Sequence, residues 1–246
     1  MIFKKFFFSL LLLLISSFTL ADSVNLERKF NIYAKIPLMP KIKIMEINTL
    51  LQLFNDEYKY EFDIRSKNIV NFINQIDGNG NVHGKIINTY KPNLYEYEYT
   101  RKNKKKYVQI KYQNEKIIKL VTKPDYDKSK LTPITDKMLV NTIDPSTFFL
   151  SVLNFENMNK CKKIFRVFDG KRRYDVKFEK MSTSNENSIV KCDASQIKIG
   201  GYKDNETDVF AASDFIQVIY SMEKKEFLGY EARNGNIKIL IDETRK

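Results

Sequence analysis

From Tyr58 to Arg65 the chain alternates without a break: Tyr58, Tyr60, Phe62 and Ile64 fall on one side, and Lys59, Glu61, Asp63 and Arg65 on the other. A period of two is the signature of a strand with one wet face. Shorter alternations recur along the chain. Phe30 to Ile36 stops at Pro37, and a run opening at Lys41–Ile44 extends toward Phe54. Leu94 to Tyr99, Val108 to Tyr112 and Ile117 to Thr122 follow with short polar breaks, as in a meander. Asn68 to Asp77 fits a helical stripe as well as a strand, and we assign it as strand; Asp77-Gly78-Asn79-Gly80-Asn81 has the composition of a turn. Residues 124–141, rich in Asp, Lys, Thr and Pro, are expected to be a surface loop.

Helical signal is confined to one place. Asp144 supplies an N-cap acid, Pro145 suits the first helical position, and Phe148, Phe149, Leu150, Val152 and Leu153 follow. Such a short helix needs tertiary packing to be stable. Beyond it, Ile164–Phe168 and Arg172–Phe178 flank Asp169-Gly170, which predicts a hairpin with a two-residue loop. Ser188–Ile199 is a further strand, and Gly200-Gly201 a turn. Phe215–Tyr220 follows, and Asn234-Gly235 joins Phe227–Arg233 to Ile237–Asp242 in a second hairpin. The expected fold is mainly β: a large curved antiparallel sheet, a barrel or half-barrel, with one short helix.

The first 21 residues add a compartment. Lys4 and Lys5 precede an apolar core from Phe6 to Ile15, and Thr19-Leu20-Ala21 reads as a cleavage site. We therefore expect a signal peptide over 1–21, a single β domain over 22–246, and a periplasmic location. No linker composition or internal repeat divides the mature chain. In an exported protein the two cysteines, Cys161 and Cys192, read as a disulfide rather than a metal site or redox motif. A bridge closing a loop of that length contributes about 3–4 kcal/mol in the chain-entropy model.

The formal charge of +12 is compatible with anionic partners. Export argues against nucleic acid, and a Lys/Asn/Ile/Tyr-rich composition accounts for basic surface without any partner. Peripheral contact with an anionic membrane surface is the alternative that remains.

The run Asp144-Pro145 with its apolar helix, Cys161, Val167-Phe168-Asp169-Gly170-Lys171-Arg172-Arg173-Tyr174-Asp175, Cys192 and Gly200-Gly201 resembles the bacterial exported family known as domain of unknown function 3108. The resemblance is specific over Asp144–Tyr202 and extends diffusely over Phe30–Thr122. Phe227-Leu-Gly-Tyr-Glu lacks the proline that the family commonly carries ahead of its last strands. The resemblance implies an exported, mostly β protein without assigned activity, similar in shape to periplasmic lipoprotein carriers; shape alone does not fix function.

Catalytic chemistry is sparse. The single histidine, His83, falls beside Gly80 and Gly84 in the expected turn, where a solvated role outweighs a catalytic one. Without it no Ser-His-Asp or Cys-His arrangement can be built. No calcium-loop spacing or phosphate-binding glycine loop is present, so neither a metal nor a cofactor is expected. Asp169 and Gly170 are assigned to the hairpin turn. Arg172, Arg173 and Tyr174 are candidate contacts to a ligand or partner, because guanidinium groups suit phosphates and carboxylates.

The expectation is an exported, non-enzymatic protein that binds an apolar, lipid-like ligand or an envelope component on a curved sheet. The alternative is a structural or interaction protein of the envelope with a filled core, docking on an envelope protein through its basic surface. A carboxylate-based hydrolase stands third, since sequence spacing says nothing about acids facing across a cleft.

Overall fold

The computed structural model describes residues 23–68, 75–158, 160–184, 188–204, 213 and 215–244. The first seven strands are β1 (Val24–Lys35), β2 (Ile42–Phe54), β3 (Glu57–Ser66), β4 (Ile76–Ile87), β5 (Thr89–Arg101), β6 (Lys104–Gln113) and β7 (Lys116–Lys123). Helices α1 (Asp136–Leu139) and α2 (Pro145–Val152) follow, with single 3-10 turns at Lys128–Lys130 and Phe155–Met158. The chain returns to strands in β8 (Lys163–Phe168), β9 (Arg173–Ser184), β10 (Ile189–Gly200), β11 (Phe215–Ser221), β12 (Glu226–Asn234) and β13 (Ile237–Thr244).

The thirteen strands form one antiparallel sheet in the order β7-β6-β5-β4-β3-β2-β1-β13-β12-β11-β10-β9-β8. Two meanders are thus joined at a central seam, where β1 pairs with β13 from Lys29↔Thr244 to Lys35↔Lys238. The sheet does not close, because β7 and β8 remain its edges. Between them runs the segment linking α1 to α2. Asn141 N donates to Glu115 O in the β6–β7 turn, Ile143 N to Arg166 O and Phe168 N to Ile143 O, each at 2.9 Å. Backbone groups that would otherwise line the bare edge of β8 are satisfied there.

Several expectations change at this level. Asp77–Asn81 is not a turn but lies within β4. Its glycines serve close approach: a Cβ at Gly80 would collide with the Phe62 ring and the Glu96 carbonyl. His83 therefore sits on a strand, exposed and paired with Lys59 and Leu94. Of the segment assigned as strand over Asn68–Asp77, residues 69–74 lie outside the described residues. The loop expected over 124–141 contains α1, so two helices are present among the described residues rather than the single one expected.

Both hairpin loops are corrected too. Phe168 pairs with Arg173, leaving a four-residue loop at 169–172 in place of two residues. The Asp169 side chain, by accepting backbone N–H bonds, stabilises the longer turn. In the last hairpin Asn234 pairs with Ile237, so its loop is Gly235-Asn236, one residue later than expected.

The concave face of the sheet holds two buried clusters. One gathers Phe30, Val167, Phe178, Val190, Val218 and Phe227 around the cysteines. The other gathers Tyr58, Tyr60, Phe62, Val82, Tyr95 and Ile110 from β3–β6. Helix α2 lies between them: Phe149 packs against both, meeting Phe30 edge-on at 5.1 Å. Asp144 caps it as predicted, accepting from Ser146 N and Thr147 N at 2.9 Å.

Candidate functional site

Helix α2 does not fill the curve of the sheet, and a cavity remains on each side of it. One, of about 280 Å³, is lined by Phe62, Tyr97, Tyr99, Val108, Phe149 and Asp169 among others. The other, of about 430 Å³, is walled by Leu26, Leu51, Leu53, Tyr90, Leu150 and Leu153, with Arg28, Glu156, Lys225 and Glu226 also lining it. Alternation explains the linings: the face of β3 that carries Tyr60 and Phe62 turns inward, as do Tyr97 and Tyr99 on β5. Tyr97 and Tyr99 stack at 4.7 Å, and Phe62 lies 5.4 Å from Tyr97.

Tyr60 lines both cavities. It is 2% exposed, and its hydroxyl has no hydrogen-bond partner among the described residues. Thr49 lies near enough to oppose the upward pKa shift that burial imposes on Tyr60; its hydroxyl donates to the Arg28 carbonyl at 3.3 Å and keeps lone pairs able to accept.

The N-terminus of α2 carries a buried polar network that the sequence showed only as a cap. Thr147 Oγ1 donates to Asp144 Oδ2 at 2.6 Å, and the Tyr58 hydroxyl, 3.1 Å from Thr147 Oγ1, donates to it in turn. Burial pushes the Asp144 carboxyl up to about 6, against the hydrogen bonds from Thr147 and Ser146.

The residues singled out from the sequence are distributed differently from the expectation. Cys161 and Cys192 are bonded, with Cα atoms 5.2 Å apart, and tie the turn after α2 to β10. Asp169 Oδ1 accepts from Lys171 N at 2.8 Å and Arg172 N at 2.6 Å. Burial raises its pKa, opposed by those bonds and by the Arg172 and Lys171 charges. Gly170 has φ +94° and rests on the Val108 side chain, while its carbonyl accepts from the Tyr126 hydroxyl at 2.8 Å.

Arg172 is half-buried beside Asp169, Nη1 to Oδ2 3.9 Å, with its guanidinium 5.7 Å from the Tyr202 ring centroid. Arg173 is not presented outward. It is 4% exposed, donates from Nε to Met138 O at 2.8 Å and from Nη1 to Tyr174 O at 2.6 Å, and pairs with Asp175 at 2.7 Å. It anchors α1 to β9. Tyr174 packs against the cysteine-side cluster.

A third depression, about 980 Å³, is an open groove along β1–β4 with Asn48, Glu61, Asp63, Asn79 and Asn81 in its lining. Its amides and carboxylates are hydrated, which makes it a poor host for an apolar molecule. Among the described residues no group of three or more His, Cys, Asp or Glu side chains could hold a metal, and no helix is long and apolar enough to cross a membrane.

A comparison with curated proteins finds no match. Among solved structures, a beta-barrel-like protein of domain of unknown function DUF1849 from Brucella abortus is similar at 10% identity, over 89% of this chain and 95% of that one, with a TM-score of 0.42. Residues 29–232 match the family described as Protein of unknown function (DUF3108), and the chain belongs to that family.

Proposed function

We propose that this protein binds an apolar, lipid-like ligand inside its curved sheet and acts in the periplasm without catalysing a reaction. The observation that carries this reading is the pair of cavities flanking Tyr60, walled largely by leucine, tyrosine and phenylalanine. Their sizes of about 280 and 430 Å³ bracket the lower end of small-molecule sites, which run from roughly 300 Å³ upward. Leucine and tyrosine walls suit an aliphatic chain. The export half of the proposal draws support from the 1–21 signal pattern, which lies outside the described residues, and from the Cys161–Cys192 bond, a bond typical of oxidising compartments.

A neutral fluorescent probe, N-phenyl-1-naphthylamine, tests the binding. Uptake by the wild type and its loss in Leu53→Trp, which fills the larger cavity, is the expected pair of results. No uptake by a folded wild type would overturn the reading. Intact mass of protein recovered from the periplasm checks export, with cleavage after Ala21 expected.

A second reading, an interaction protein of the envelope, is favoured by one observation: α2 already occupies the middle of the hollow, with Phe149 against both clusters. That reading expects no probe uptake and partners that are released at raised salt, where exposed charges are screened.

A further inference from the structure

The two ends of the interior differ in charge. At the end of the larger cavity, cations and acids are balanced: Lys225 pairs with Glu156 at 2.7 Å, and Arg28 and Glu226 lie in the same lining. At the Tyr99 end cations predominate. Val108 lines the smaller cavity, and the period of two along β6 places Lys106 and then Lys104 on the same face toward the open end. On β5, Tyr99 faces Lys106 and Arg101 faces Lys104 across the ladder. Lys106 Nζ stands 5.8 Å from the Tyr99 ring centroid.

The β8–β9 loop adds further cations from the opposite edge of the sheet. Gly170 is seated on Val108 and Leu120 of β6 and β7, which brings Lys171 and Arg172 to the same rim. The crowding shows at Lys106, whose pKa is held down first by burial and then by the charges of Arg101, Lys171, Lys104 and Arg172. Asp169 is the acid in this lining; its Oδ1 accepts from the backbone N–H groups of Lys171 and Arg172, and its Oδ2 lies 3.9 Å from Arg172 Nη1. The inner face therefore runs from tyrosine and valine to a cluster of positive charge. Like charges gathered at a half-buried rim cost stability, and an anion there removes that cost.

We propose that the ligand is an amphiphile with an anionic, phosphate-type head, its chain in the cavity beside Tyr97 and Tyr99 and its head among Lys106, Lys104, Lys171 and Arg172. This rests on the interior-binding reading above and adds the head chemistry and the orientation. A phosphate at this rim accepts charge-assisted hydrogen bonds from several cations, while the chain excludes water from the apolar lining.

The test uses the full mature chain and compares decyl phosphate, 1-decanol and inorganic phosphate by displacement of N-phenyl-1-naphthylamine and by calorimetry. Decyl phosphate should bind roughly tenfold or more tightly than decanol, the span expected for hydrogen bonds to a charged group. Lys106→Gln should remove most of that advantage while leaving decanol affinity unchanged, and Lys106→Arg should restore it. Lys59→Gln, an equal loss of charge on the outer face of β3, should change neither. Unaltered decanol binding shows that the variants are folded.

Equal affinity for decyl phosphate and decanol, or an equal loss of both in Lys106→Gln, overturns the head assignment and leaves the cavity reading standing. Inorganic phosphate binding as tightly as decyl phosphate makes the rim a free-anion site and overturns the amphiphile. If neither alkyl compound binds, the cavity reading fails and this inference fails with it.

Discussion

At the scale of single residues, Asp144 carries both a structural and a titratable role. Its carboxyl titrates near 6 in the fold and near about 3.9 in the unfolded chain. Between those values the native state holds more protons, so stability falls as the pH rises from about 4 to about 6 and is level above. The amount is on the order of 2–3 kcal/mol. Asp144→Asn keeps a capping side chain and removes the titration. Urea melts at pH 4 and pH 7 should show the wild type losing that much stability relative to the variant; a difference independent of pH would contradict the assignment. Glycines offer a second residue-scale contrast. Gly201, at φ +81°, has the Lys171 carbonyl where a Cβ would stand, whereas Gly235, at φ +53°, has open space. Gly201→Ala therefore adds collision to backbone strain. It should destabilise by more than about 1 kcal/mol, and by more than Gly235→Ala, in the same melts.

At the scale of elements, the disulfide and helix α2 hold the two sides of the interior. Cys161 and Cys192 are both fully buried and 31 residues apart. Replacing both with alanine should lower stability by about 3–4 kcal/mol through the entropy of the open loop, a large share of a marginal total. Calorimetry of the variant against the oxidised wild type measures it, and an unchanged melting temperature would remove the bridge from the account of stability. Helix α2 is only eight residues long, too short to stand without its contacts. Leu150 is buried in the β3–β6 cluster and also lines the larger cavity. Leu150→Ala should cost about 2–5 kcal/mol while enlarging the space open to the naphthylamine probe.

At the scale of the whole molecule, the seam between β1 and β13 makes the two meanders one sheet. Phe149 then spans both clusters. Contacts that cross between the halves this extensively predict one cooperative transition on heating, with calorimetric and van't Hoff enthalpies equal. Two resolved transitions would mean that the meanders fold as separate units. The same architecture sets the polarity of the interior: the β8–β9 loop seats Gly170 on Val108 of β6 and Leu120 of β7, which brings Lys171 and Arg172 to the end of β6 that carries Lys104 and Lys106.

Much of the fold was legible because its signals are local. Alternation placed the inward faces of β3, β5 and β6, Asp144-Pro145 marked the start of α2, and the second cysteine fell on a strand as expected, since periodicity and capping depend only on neighbours along the chain. One glycine-rich stretch misled: Gly78 and Gly80 serve close approach by β3 and β5, and composition cannot distinguish that from a turn. Arg172 and Arg173 are both candidate contacts by sequence, on opposite faces of the strand, yet one lies at the rim and the other is buried against Met138, because only the long-range packing of α1 on β9 decides which face is covered. The cavities and the joining of Lys106 with Lys171 depend on which distant strands become neighbours. The sequence by itself determined most of the strands, the capped helix and the cysteine pair. Only the tertiary structure decided that the sheet stays open, that α2 leaves space on either side, and that one end gathers positive charge, because these follow from long-range pairing and packing that no local pattern encodes.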